Sequence, residues 1–185
     1  MKNNFSNLNI FIILIIFTFF CNANLFSKEV NLKAKEVLSF ENGNIIVGKK
    51  EVEAKIDKEL EIFADKITYY KKESKVVAEG NVKSIDLINK NVISSQKAIF
   101  YKDKNQILTI GETFFEINEN YTGNSSDVFF DINEKLISSE KLSNFKDNFD
   151  NFIQASSFRY SNTTEILKAN NIEVIDNKEN KYYLK

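Results

Sequence analysis

Asp127 and Asp131 stand four residues apart and could do acid/base work on a glycan, since two carboxylates can hydrolyse a glycosidic bond without imidazole. Little else in the chain could do chemistry. Among 185 residues there is no His, no Pro, no Trp, one Cys and one Met. A Ser-His-Asp or Cys-His site needs an imidazole. A single Cys (Cys21) cannot build a thiolate zinc cage, and no metal site or cofactor is expected. Acidic residues fall mostly on turns and outward positions, as solvated charges do, so an enzyme is not the expectation. Lys+Arg total 25 against 26 Asp+Glu, a balance with no electrostatic footprint for nucleic acid. Aromatics at 13% are too many for a disordered chain.

The first residues read as an address. Met1 and Lys2 precede the apolar run Ile10 to Phe20, and small residues lead to a cleavage point after Ala23. This is the layout of a secretory signal peptide, residues 1–23, whose apolar run of 11 residues is too short for a spanning helix of ~20 residues. An uncleaved anchor and a lipoprotein acylated on Cys21 are the alternatives. Cleavage leaves residues 24–185, enough for one exported domain that holds itself by burial and backbone pairing.

Five segments of that domain align. They are Ala34-Lys-Glu-Val-Leu-Ser-Phe40, Ala64-Asp-Lys-Ile-Thr-Tyr-Tyr70, Ser95-Gln-Lys-Ala-Ile-Phe-Tyr101, Ser125-Ser-Asp-Val-Phe-Phe-Asp131 and Ala155-Ser-Ser-Phe-Arg-Tyr-Ser161. The small anchors at 34, 64, 95, 125 and 155 are spaced 30, 31, 30 and 30 residues. After each comes a polar turn, such as Lys71-Lys72-Glu73-Ser74, and a second strand-like run, such as Val76 to Gly80. β-branched and aromatic residues fill the runs and Asn, Asp, Gly and Lys fill the breaks, so each unit predicts two strands and two turns. The expectation is an all-β fold of about ten strands in five repeats. One unit cannot bury its apolar face alone, so stacked units must share a core.

Ala64-Asp65-Lys66-Ile67-Thr68-Tyr69-Tyr70, followed by Val76-Val77-Ala78-Glu79-Gly80-Asn81-Val82, resembles the repeat of the OstA-like (organic solvent tolerance) domains of lipopolysaccharide transport. Ser95 to Gly111 matches more loosely, and the last two units put Glu140 and Asn170 where the pattern has Gly. The resemblance extends over about residues 30–176. Soluble bridge proteins, an inner-membrane-anchored component and the periplasmic N-terminal domain of the outer-membrane assembly protein LptD share this domain. The Asp-rich turns at Lys146 to Phe152 and Ile175 to Tyr183 resemble the LptD branch most. The end on Tyr182-Tyr183-Leu184-Lys185, where a sixth anchor would fall, reads as an LptD domain without its barrel.

The resemblance implies a repetitive twisted β-jellyroll, open and V-shaped, in the periplasm, or outer-membrane associated if it is part of LptD. Its inner face would shield the acyl chains of lipopolysaccharide. Groove candidates are Ile67, Tyr69, Ala98, Phe100, Val128, Phe130, Phe158 and Tyr160, then Val82, Phe114, Leu142 and Ile172. The anchor and the residue three later have opposite parity, so the inward face is open until a bulge or break between them is located. Implied partners are lipopolysaccharide, another jellyroll pairing with the edge strand at Val30, Asn31, Leu32, Lys33 and Ala34, and an outer-membrane barrel if full-length. A stand-alone bridge protein is the first alternative. A β-solenoid scaffold or adhesin with a closed, dry core is the second.

Overall fold

A computed structural model describes residues 29–184; the segment expected to be a signal peptide, residues 1–23 with Cys21, lies outside them. The described residues hold seventeen strands and one 3₁₀ turn (Glu41–Gly43), and every strand pair is antiparallel. The chain is a single meander that crosses from one wall of a folded sheet to the other and back. Four passes are unbroken strands: β3 (Ile45–Ile56), β4 (Leu60–Tyr70), β5 (Lys75–Asp86) and β6 (Asn91–Tyr101). Six passes are each divided in two. They are β1 (Val30–Lys33) with β2 (Glu36–Phe40), β7 (Gln106–Thr109) with β8 (Glu112–Ile117), β9 (Tyr121–Ser126) with β10 (Phe129–Asp131), β11 (Leu136–Ser139) with β12 (Ser143–Asp147), β13 (Phe152–Ala155) with β14 (Ser157–Ser161), and β15 (Ile166–Asn170) with β16 (Ile172–Ile175). β17 (Lys181–Leu184) begins another. The ten runs expected from the repeat are these full passes, and the larger strand count comes from breaks where a pass bends.

Pairing separates two walls. One runs β2–β3–β4–β5–β6–β7–β10–β11–β14–β15. The other runs β1–β3–β4–β5–β6–β8–β9–β12–β13–β16–β17. They share β3 to β6 and fold onto each other along a vertex. The register shifts there between Lys49 and Val52, Phe63 and Lys66, and Glu79 and Val82. Between the paired positions the returning pass β5 has one residue more than its neighbours β4 and β6, the arrangement of a β-bulge. Gly80 (φ 75°) and Asn81 (φ 47°) make that bend. A Cβ on Gly80 would lie 2.5 Å from Asp65 Oδ2, so a larger residue must displace that carboxylate and is also strained at this φ.

Side-chain size grows away from the vertex. The anchors Ala64, Ser95, Ser125 and Ala155 are buried at the vertex, where the walls converge and only small groups fit. Three residues on come Ile67, Ala98, Val128 and Phe158, and five on come Tyr69, Phe100, Phe130 and Tyr160, all buried. The bend allows the anchor and the residue three later to face inward together. Hydroxyls satisfy one another along the crowded vertex. Thr113 Oγ1 donates to Thr109 Oγ1 (2.7 Å), Ser125 Oγ to Ser139 Oγ (2.9 Å) and Ser143 Oγ to Ser125 Oγ (2.8 Å).

The turns stack on each other as the strands do. On one rim Lys71 N, Lys102 N, Ile132 N and Asn162 N donate to Asn44 O, Ser74 O, Asn105 O and Lys135 O. On the other, Asp86, Asp147 and Asp176 each accept from backbone amides of their own turn, and Asn91 Oδ1 and Asn151 Oδ1 accept from Asn118 N and Asn177 N of the next turn.

Candidate functional site

The interior between the two walls is an apolar wedge, with small side chains at the vertex and larger ones beyond it. None of Ile67, Tyr69, Ala98, Phe100, Val128, Phe130, Phe158, Tyr160 and Val82 is more than 8% exposed. Their own neighbours fill the space. Phe158 on one wall meets Phe145 on the other edge-on, with ring centroids 4.8 Å apart, and Phe115 at 5.3 Å. Gly123 stands between Phe115 and Phe145 in the ladder, and its missing side chain lets those two rings meet at 5.4 Å. A Cβ there would lie 2.1 Å from Asn144 O.

Polar groups sit toward the two rims. Lys102 Nζ donates to Tyr69 Oη at 3.1 Å. Asp86 and Asn91 are buried on the opposite rim and are hydrogen-bonded to each other. Tyr121 and Tyr160 reach across from the two walls with ring centroids 5.7 Å apart. Burial raises the Tyr121 phenol above its ordinary pKa, with Tyr160 and Asp147 adding to the effect. Tyr160 Oη is buried without a hydrogen-bond partner among the described residues.

The wedge is less covered at its two ends. Val30, Leu32, Ala34 and Ile46 at one end, and Leu167, Ala169 and Ile172 at the other, are only half-buried against the core. Val37, Leu38 and Phe40 at the first end and Tyr182, Tyr183 and Leu184 at the second are exposed. Among the described residues β1 and β2 pair only with β3, β15 only with β14, and β17 only with β16. Each end therefore presents unpaired strand edges beside apolar side chains. Val30, Asn31, Leu32 and Lys33 form one of these edges, and Ala34 follows it directly.

The second-rank positions divide. Val82 is buried and Ile172 half-buried, but Phe114 and Leu142 are 56% and 60% exposed on the outer face. The inward positions beside them are Thr113 and Ser143, because the narrow vertex takes small groups. Sequence reasoning followed apolarity there and so passed over both. Phe114 instead lines an outer cleft of about 540 Å³ with Val92, Phe152 and the backbone around Gly123.

The carboxylate pair is occupied structurally. Asp127 (φ 52°) turns the chain at the vertex and accepts from Gly111 N at 2.9 Å. Asp131 accepts from Gln106 Nε2 at 2.7 Å and from Glu134 N at 3.0 Å. No group of His, Cys, Asp and Glu among the described residues could hold a metal ion.

Comparison with known proteins found no matching family model and no matching curated protein. Among solved structures the chain is similar to LptH, the LptA homologous periplasmic component of the lipopolysaccharide transport device from Pseudomonas aeruginosa, with 11% identity, 77% of this chain and 82% of that chain covered, and a TM-score of 0.35.

Proposed function

We propose that this chain is a non-enzymatic carrier domain of lipopolysaccharide transport in the periplasm, holding acyl chains against the inner faces of its two walls. The observation that carries this reading is the apolar wedge, partly uncovered at both ends and flanked there by strands with one edge unpaired among the described residues. Among the described residues every strand pairing lies within one wall or between strands that both walls share. Between the walls there is side-chain packing, so they can part at the mouth without breaking a ladder. Acyl chains entering there gain ~0.8 kcal/mol per buried CH₂. That gain is non-directional, so a chain can slide. The finer reading is the periplasmic domain of LptD, supported by the Asp-Asn turns at Asp147 and Asp176. A stand-alone bridge protein is the alternative within the same function. In either case the edge at Val30 to Ala34, formed by β1 and the residue after it, receives another jellyroll; in the LptD case an outer-membrane barrel is a further partner.

The filled core favours one competitor, a scaffold or adhesin with a dry interior. A photo-crosslinker at Tyr69 or Phe100 separates the two. Capture of lipopolysaccharide from these inward positions supports transport. Capture only from an outward residue such as Lys72 overturns it.

A further inference from the structure

The chain has one arginine among its 25 Lys and Arg residues, and its surroundings on the outer wall are unusual. Arg159 on β14 stands directly opposite Lys168 on β15, and both are exposed. Like charges opposite each other on an antiparallel pair repel. Elsewhere on the walls the sequence offsets this. Glu79 sits between Lys66 and Lys97 and bonds both, at 2.9 and 3.1 Å, and Lys55 bonds Glu61 at 2.7 Å. Neither Arg159 nor Lys168 forms an ion pair among the described residues.

The pair is shared by two hollows. One, of about 300 Å³, adds Ser138, Ser157 and Asn170. The other, of about 490 Å³, adds Leu136, Ser161 and Ile166. Ser138 is also the ladder partner of Arg159 on its other side. A forked guanidinium, an ammonium and hydroxyl and amide donors on one pleated face match the oxygens of a phosphate monoester. Glu140 at the edge of the first hollow and Glu134 at the edge of the second oppose an anion.

We infer that Arg159 and Lys168 form a binding site for a phosphate monoester on the outer wall. The site rests on the geometry of that wall and is separate from the acyl-holding interior. Its test uses the full chain, titrated with inorganic phosphate while backbone amide shifts are followed by NMR, and in parallel sedimented with phosphatidylcholine vesicles with and without phosphatidic acid. The expected result is saturable shifts confined to residues 138, 157–161 and 166–170. Arg159→Ala weakens binding about tenfold or more, Arg159→Lys weakens it less, and Glu140→Gln tightens it a few-fold. Response to free phosphate alone identifies a soluble ligand, and response to phosphatidic acid vesicles alone identifies a lipid headgroup; both support the site. No saturable response in either arm, or Arg159→Ala binding as well as the parent chain, overturns it. Failure here leaves the interior crosslinks unaffected, and failed crosslinks leave this titration unaffected.

Discussion

Asn81 Nδ2 donates to Asp65 Oδ2 at 2.9 Å, and the same carboxylate closes over Gly80. These residues are the conspicuous polar letters of the best-formed repeat, and the contact says why they occur together. Asp65 lies at the vertex on one pass, Gly80 and Asn81 bend the next, and the hydrogen bond ties the two bends. Gly80→Ala puts a Cβ within 2.5 Å of Asp65 Oδ2 at φ 75°. The expected loss is roughly 1–3 kcal/mol, read as a lower midpoint in urea unfolding. A variant as stable as the parent would show that the vertex is not held by this contact.

The wedge predicts an asymmetry between neighbouring apolar residues. Phe158→Ala removes a ring in contact with Phe145 and Phe115 from a site 2% exposed, and should cost about 3–5 kcal/mol. Leu142→Ala, on the outer face, should change stability by less than about 0.5 kcal/mol. Equal effects in denaturant titration would mean that the inward face is wrongly assigned.

Tyr160 supplies a test of the opposite sign. Its hydroxyl is buried and unpartnered among the described residues, so removing it relieves a desolvation penalty. Tyr160→Phe should leave the thermal midpoint unchanged or raise it. A fall equivalent to more than about 1 kcal/mol would reveal a partner for that oxygen.

Glu79 gives a pH dependence. Hydrogen bonds from Lys66, then Lys97, hold its carboxyl below the ordinary pKa. A carboxyl lowered by folding contributes stability above its unfolded pKa, about 4.3, and that contribution is lost as pH falls through the lower folded value. Glu79→Gln should therefore be less stable than the parent near neutral pH, with the gap closing in acid. The side chain is 37% exposed, so solvent screens the effect and the gap is small. A gap that widens below pH ~4 would contradict the assignment.

For the edge, a photo-crosslinker placed along Val30 to Ala34 should capture a jellyroll partner by strand addition. Labelling only from the 155–184 end would reverse the polarity proposed.

The anchor spacing of about thirty residues, the alternation within Ile67-Thr68-Tyr69 and the Asn- and Asp-rich breaks were enough to fix an all-β stack of ten passes, because strand period and turn chemistry are local properties. Small anchors were visible too, but their meaning was not. Only the folded sheet shows that Ala64 and Ser95 are small because two walls converge on them. Only the bulge at Gly80 and Asn81 settles which residues share a face, since one extra residue in a returning pass shifts the pairing of both neighbours. Phe114 and Leu142 read as interior because they are apolar, and Thr113 and Ser143 took the interior because the vertex is narrow. The pairing of Arg159 with Lys168 was likewise invisible in a chain that separates them by nine residues, because a register between strands is a property of the sheet and not of either strand.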